Sequence, residues 1–209
     1  MGVSLSWIGV RGVSKDALLE RLGLSDTGRP VDDLPDRHGC AGLPGGWTVI
    51  LSQDLDFMSD RIAEASIGGL AVGCAMEEHL MFSEARALQD GAELWRVSHD
   101  PDRSGVYDLA LDGDPPPELA GIRKALTSEQ DEGGGEDAGV DRIFDAPIQL
   151  VALLCGYRPD EETAGTDPPT CTELDRRCGE PGPGPEPPAV QPPGPGLLQM
   201  FAGLFGKRG

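Results

Sequence analysis

Apolar positions recur in short runs divided by glycine, proline and acidic turn residues, and the spacing inside each run separates strands from helices. Leu5, Trp7 and the Ile8-Gly9-Val10 segment predict a first strand. Ser14 then caps a helix in which Ala17, Leu18 and Leu22 return at helical spacing, and Gly23 ends it. From Ser25 to Gly46 periodicity gives way to Asp, Gly and Pro, so a long mobile surface loop carrying Asp32 and Asp33 is expected. Trp47 to Leu51, bounded by Gly45-Gly46 and Gln53-Asp54, predicts a buried strand. Ser59 is placed to cap a short helix reaching Ile67, and Leu70 to Met76 is a further apolar strand.

Leu80 to Leu88 and Ala92 to Ser98 predict a hairpin around Gln89-Asp90-Gly91. A two-residue loop would put Glu84 and Arg86 on the same face as Trp95 and Val97, whereas a three-residue loop with Gly91 left-handed sorts them apart. The three-residue loop is therefore predicted. It places Met81, Ala85, Ala87, Trp95 and Val97 on one face, Glu84 opposite Arg96 on the other, and His99 opposite Met81. Gly105 to Leu111 predicts another strand, and Pro117 opens a helix with Leu119, Ile122 and Leu126 as its apolar stripe. Asp145 caps a last helix, whose Ile148, Val151, Leu154 and Cys155 form an apolar face until Gly156.

Residues 1–158 thus predict one α+β domain, an antiparallel sheet of about five strands with helices mainly on one face, because hairpins join the later strands. In residues 159–196 proline, glycine and acids displace large apolar side chains, which predicts a disordered linker. Residues 197–209 are apolar again. There Leu197, Phe201, Leu204 and Phe205 can present one helical face to a groove on a partner or on the body itself.

Charge narrows the partners. Lys and Arg number 17 against 36 Asp and Glu, a formal net charge of −19 that repels nucleic-acid phosphates and anionic lipid alike and attracts a basic protein. No basic leader opens the chain and no run of about 18 apolar residues follows, so neither export nor a membrane span is expected. Gly2 and Ser6 fit the pattern for acylation, but Ile8 and Val10 behind them call for burial in a strand. Five scattered cysteines, an odd number, point to a reducing compartment and hence the cytoplasm.

Candidate chemistry is sparse. His38-Gly39-Cys40 with Cys171 and Cys178 matches no closed zinc spacing, and neither a metal nor another cofactor is expected. Cys74 lies in an apolar strand, where thiols are inert. No phosphate-binding loop or nucleophile elbow occurs. What remains is Glu77 and His79 at the head of the hairpin, with His99 brought near them by the predicted register, a carboxylate and imidazole set suited to acid and base work.

Gly46-Trp47, the hairpin through Trp95 and the helix opening Ile143-Phe144-Asp145-Ala146-Pro147 together resemble small acidic bacterial proteins, some of them of the immunity type that neutralise toxins by occupying them. The resemblance covers residues 4 to 158 and carries no functional residues. With the charge, it implies a non-catalytic acidic protein that binds another protein in the manner of an immunity protein or adaptor. The alternative is a hydrolase or transferase working through Glu77, His79 and His99.

Overall fold

Ser4–Arg11 (β1) alternates strictly yet is apolar on both sides, because it lies mid-sheet with a core on each face: Leu5 and Trp7 enter one, Ile8 and Val10 the other. A computed structural model describes residues 2–31, 35, 37–159 and 170–177, all inside the unit Met1–Arg177. After β1 come Lys15–Arg21 (α1), Leu24–Val31 (β2), His38–Leu43 (β3), Trp47–Ser52 (β4), Phe57–Ala65 (α2) and Leu70–Glu77 (β5). Phe82–Gln89 (β6), Ala92–His99 (β7), Pro101–Ser104 (α3), Ala110–Gly113 (β8), Glu118–Glu132 (α4), Asp145–Cys155 (α5) and Cys171–Arg176 (β9) follow.

The strands form one sheet in the order β2-β9-β3-β4-β1-β5-β6-β7-β8, every pair antiparallel. The fold is α+β as expected, but the sheet has nine strands where about five were predicted. Three of the additional strands are polar or small in sequence. β2 and β3 occupy the stretch read as a long loop, and β9 lies in the stretch read as disordered linker, inserted between β2 and β3. The compact unit that holds these strands runs from Met1 to Arg177.

Helices also cover both faces, not mainly one. On the first, Leu18 of α1, Leu22 at its C-terminal cap, and Met58 and Ile62 of α2 pack on Ile8, Ile50, Ala71 and Leu174. On the second, Ile148, Val151 and Cys155 of α5 and Leu119 of α4 pack on Trp7, Leu51, Cys74 and Val97. Gly73 admits α2 to the sheet: a Cβ there would stand 2.6 Å from Met58 Cγ and 2.9 Å from Ile62 Cδ1. Ser59 is inside α2, whose cap position belongs to Asp56.

The β6–β7 hairpin reaches the predicted faces by another route. Asp90 (φ 50°) and Gly91 (φ 81°) are both left-handed, the geometry of a two-residue loop, and Gln89 pairs with Ala92. A bulge then skips Leu94, so that Leu88 pairs with Glu93 but Ala87 with Trp95. The extra residue does what the third loop residue was invoked to do: Ala85, Ala87, Trp95 and Val97 share the buried face. Cross-strand partners differ accordingly, with Glu84 opposite Ser98, Arg86 opposite Arg96, and His99 opposite Ser83. Met81 is a left-handed turn residue outside the strand.

Among the described residues no helix is long and apolar enough to cross a membrane. The apolar peptide with Leu197, Phe201, Leu204 and Phe205, and the Asp32-Asp33 pair, lie outside the described residues.

Candidate functional site

The register decides which of the predicted chemical residues meet. Met76, Ser83 and His99 pair across β5, β6 and β7 and so share a face, the one beneath α5, where Ser83 Oγ donates to Phe144 O at 2.6 Å. Glu77, one residue on from Met76, projects from the opposite face. His79 is exposed in the β5–β6 turn, where a Cβ on Gly2 would stand 3.0 Å from its ring. Glu77 accepts from the His79 backbone N–H at 3.1 Å, and a hydrogen bond from Ser4 with that N–H holds its carboxyl below the usual range. Glu78 accepts from Val3 N at 2.8 Å. Glu77 and His79 are thus neighbours at a turn, while His99 is separated from Glu77 by the thickness of the sheet.

His99 has a different set of partners. It is fully buried; its Nδ1 lies 2.7 Å from Asp108 O and its Nε2 3.0 Å from Asp141 Oδ2. A carbonyl only accepts and a carboxylate oxygen accepts, so these two partners suit the imidazolium form, in which both ring nitrogens donate. Burial works against that charge, but the bonds to Asp141 and Asp108 and the Asp141 charge outweigh it, and the pKa is raised. Asp141 also closes the chain ahead of α5, its Oδ1 accepting from Ile143 N at 3.0 Å and Phe144 N at 3.2 Å. This is the capping that the sequence assigns to Asp145, whose carboxylate instead accepts from Gln149 and Arg158. Asp108 holds the other side, accepting from Arg103, from Ser104 Oγ at 2.5 Å and from Asp100 N at 3.1 Å. Buried Gln130 completes the lock by donating to Gly135 O at 2.8 Å and accepting from Arg142 N at 2.7 Å. A histidine with both nitrogens committed has no lone pair left to act as a base.

His38 is the opposite case. Its Nδ1 lies 3.0 Å from Ser52 Oγ and its ring 4.8 Å from that of Phe57. Burial first, then Arg37 and Arg176, push its pKa down to about 4, so it is neutral. His38 and Cys40 point to the first face, while Cys171 Sγ stands where a Cβ of Gly39 would go, 2.6 Å away, on the other. Cys178 lies outside the described residues. Burial pushes the Cys40 thiol up to about 12 and the Cys155 thiol up to about 11, away from the thiolate that binds metals or attacks. Among the described residues no three His, Cys, Asp or Glu side chains group as metal ligands.

A concave surface lies elsewhere, at one end of the sheet. Among the described residues both end strands have a free edge, but β2 is broken by a register shift between Asp26 and Pro30, and Pro30 has no N–H to offer. At the other end, beside β8, a groove of about 540 Å³ runs between Leu111, the Pro115-Pro116-Pro117 turn, and Leu119, Ala120, Arg123, Lys124, Thr127 and Ser128 of α4. Leu111 is 50% exposed there. Lys15, Arg29, Arg61, Arg86, Arg96, Arg103 and Arg158 each meet a carboxylate. Arg123 and Lys124, both exposed, make no ion pair among the described residues.

No protein-family model, curated protein or solved structure matches the chain. The groove must therefore be read from its own chemistry. Sequence reasoning missed it because Leu111 looked like one more inward strand residue. The signal that could have found it is the triple proline, which holds the start of α4 away from β8 and leaves Leu111 uncovered.

Proposed function

We propose that this chain is a non-catalytic, acidic protein-binding protein of the cytoplasm, acting as an immunity protein or adaptor does, by covering a partner's surface. One observation carries the reading: beside a free sheet edge the described residues form an open apolar groove, lined by two cations and by no acid and base pair. The commitment of both His99 nitrogens supports it, and the free thiols of Cys40, Cys74, Cys155 and Cys171 are in keeping with a reducing compartment. A net charge of −19 would steer a basic partner and raise its on-rate more than its affinity. The hydrolase or transferase alternative draws no support from a sheet that sends Glu77 and His99 to opposite faces.

The test is capture of partners from native cytoplasm by the full chain and by a chain ending at Arg177, followed by association kinetics at two salt concentrations. A partner kept by both puts the interface on the body, and one lost on truncation puts it on residues 197–205. Slower association in added salt is expected. An on-rate indifferent to salt, or the absence of any partner alongside measurable turnover in a substrate screen, overturns the reading.

A further inference from the structure

We infer that the groove between β8 and α4 receives the extended, apolar C-terminus of a partner protein, with its terminal carboxylate held by Arg123 and Lys124. The inference rests on the protein-binding reading and names the partner's chemistry. Leu111, Leu119, Ala120 and the proline turn supply an apolar floor, and a volume of about 540 Å³ suits a few aliphatic side chains. At one wall stand two exposed cations that no acid among the described residues neutralises, although acids outnumber Lys and Arg by 36 to 17 in the chain. That local inversion of sign is the feature to be explained, and an incoming carboxylate explains it.

The same charge balance limits how acidic the occupant can be. A segment bearing several Asp or Glu would meet the repulsion of a body at −19, whereas a chain end brings one negative charge and can keep every side chain apolar, as the floor demands. Among the described residues β8 is the last strand of the sheet and pairs only with β7, so an extended segment can lie along its free side while its alternate side chains enter the groove. Only four residues long, with Gly113 N already donating to Asp112 Oδ1 at 2.9 Å, β8 offers a short edge. Side-chain burial and the carboxylate, more than a long ladder, then carry the affinity.

The experiment is selection of random hexapeptides displayed with a free C-terminus against the full chain, followed by binding of the selected peptide as acid and as amide. Aliphatic residues should dominate the final positions, and amidation should weaken binding at least tenfold. The charge reversal Arg123→Glu with Lys124→Glu should do the same and should turn the selection towards basic peptides, a change of preference that mere loss of structure would not produce. Ala120→Arg, which fills the groove from an exposed position, should abolish binding with the unfolding midpoint unchanged. Failure to enrich any sequence overturns the proposal. So does enrichment of internal acids with the amide binding equally well, or a change of oligomeric state in the charge-reversed protein, which would make a second copy the occupant. A natural partner that binds regardless of all these substitutions would also overturn it, while leaving the protein-binding reading intact.

Discussion

Replacing Asp141 by Asn tests whether the buried His99 ring is charged. The amide retains an oxygen to accept from Ile143 N and Phe144 N, so the turn ahead of α5 keeps its cap, but the negative charge facing His99 Nε2 is gone. His99 has a raised pKa in the folded protein. Its contribution to stability is therefore complete below the unfolded value near 6.5 and disappears as pH rises through the folded value. At pH 5 the variant leaves a buried imidazolium facing an amide, a loss of about 3 kcal/mol for a broken buried pair. Above the folded value the ring is neutral in both proteins, its Nε2 can accept from the new amide, and the loss shrinks to about 1 kcal/mol, that of an ordinary hydrogen bond. For a domain of this size that means a midpoint lowered by roughly 6 to 12 °C in acid and about 2 to 4 °C in base. Urea unfolding of both proteins, followed by tryptophan fluorescence from pH 5 to 9, gives the difference directly. Other titrating groups cancel between the two, His38 included. A difference that stays constant across this range would mean His99 is not protonated, and the account of the lock as an ion pair would fail.

Three further outcomes follow from the packing. His38, neutral with its pKa pushed down to about 4, contributes stability present above pH 6.5 and lost as pH falls towards 4, at most about 3 kcal/mol. His38→Gln should remove that acid slope from the unfolding curve, and an unchanged slope would refute it. Gly73→Ala forces a methyl against Met58 and Ile62 and should cost about 1 to 3 kcal/mol, read as a lower urea midpoint at constant slope; a neutral effect would mean that α2 can shift freely. A chain cut after Arg158 loses β9, leaving β2 unpaired and uncovering Leu174's place in the core, so it should lose cooperative unfolding, whereas a chain cut after Arg177 should keep it. Equal midpoints for the two truncations would show that β9 contributes nothing.

The half of the sheet that could be read from the sequence is the half whose strands carry regular apolar patterns. β1, β4 and β5 carry Trp7, Ile50 and Val72 between α2 on one side and α5 on the other, and such strands must be apolar at nearly every position, while the β6–β7 hairpin alternates, with Ala85, Ala87, Trp95 and Val97 buried and Glu84, Arg86, Glu93 and Arg96 pairing on its second face. The other half is built from residues that hide their role. β3 reads His-Gly-Cys-Ala-Gly-Leu, in which Gly39 is small because Cys171 crosses it closely. In β9 only Leu174 is large, apolar and fully buried. β2 is a polar edge with Pro30 in it. Composition marks these segments as loop and tail, and only pairing with a distant partner makes them strands, which no local window detects.

The candidate site failed to appear for a related reason. Sequence reading looks for reactive residue types, and His99 was the natural choice; in the folded chain its reactivity is consumed by the structure, since partners from two separate loops engage both of its ring nitrogens. The groove depends on nothing reactive. It arises where β8 stops after four residues, three prolines turn the chain, and α4 starts too far away to cover Leu111. Arg123 and Lys124 are unremarkable as helix-surface residues, and they share with Arg11, Arg21 and Arg177 the lack of an ion pair among the described residues; what sets them apart is the apolar floor they border, in a groove whose lining holds no acid. We read this combination, two neighbouring cations beside an apolar floor with no acid in the lining, as a place for an anion arriving from outside. If charge reversal at these positions leaves every interaction of the protein untouched, their isolation is an accident of surface composition and the groove is merely a gap between secondary-structure elements.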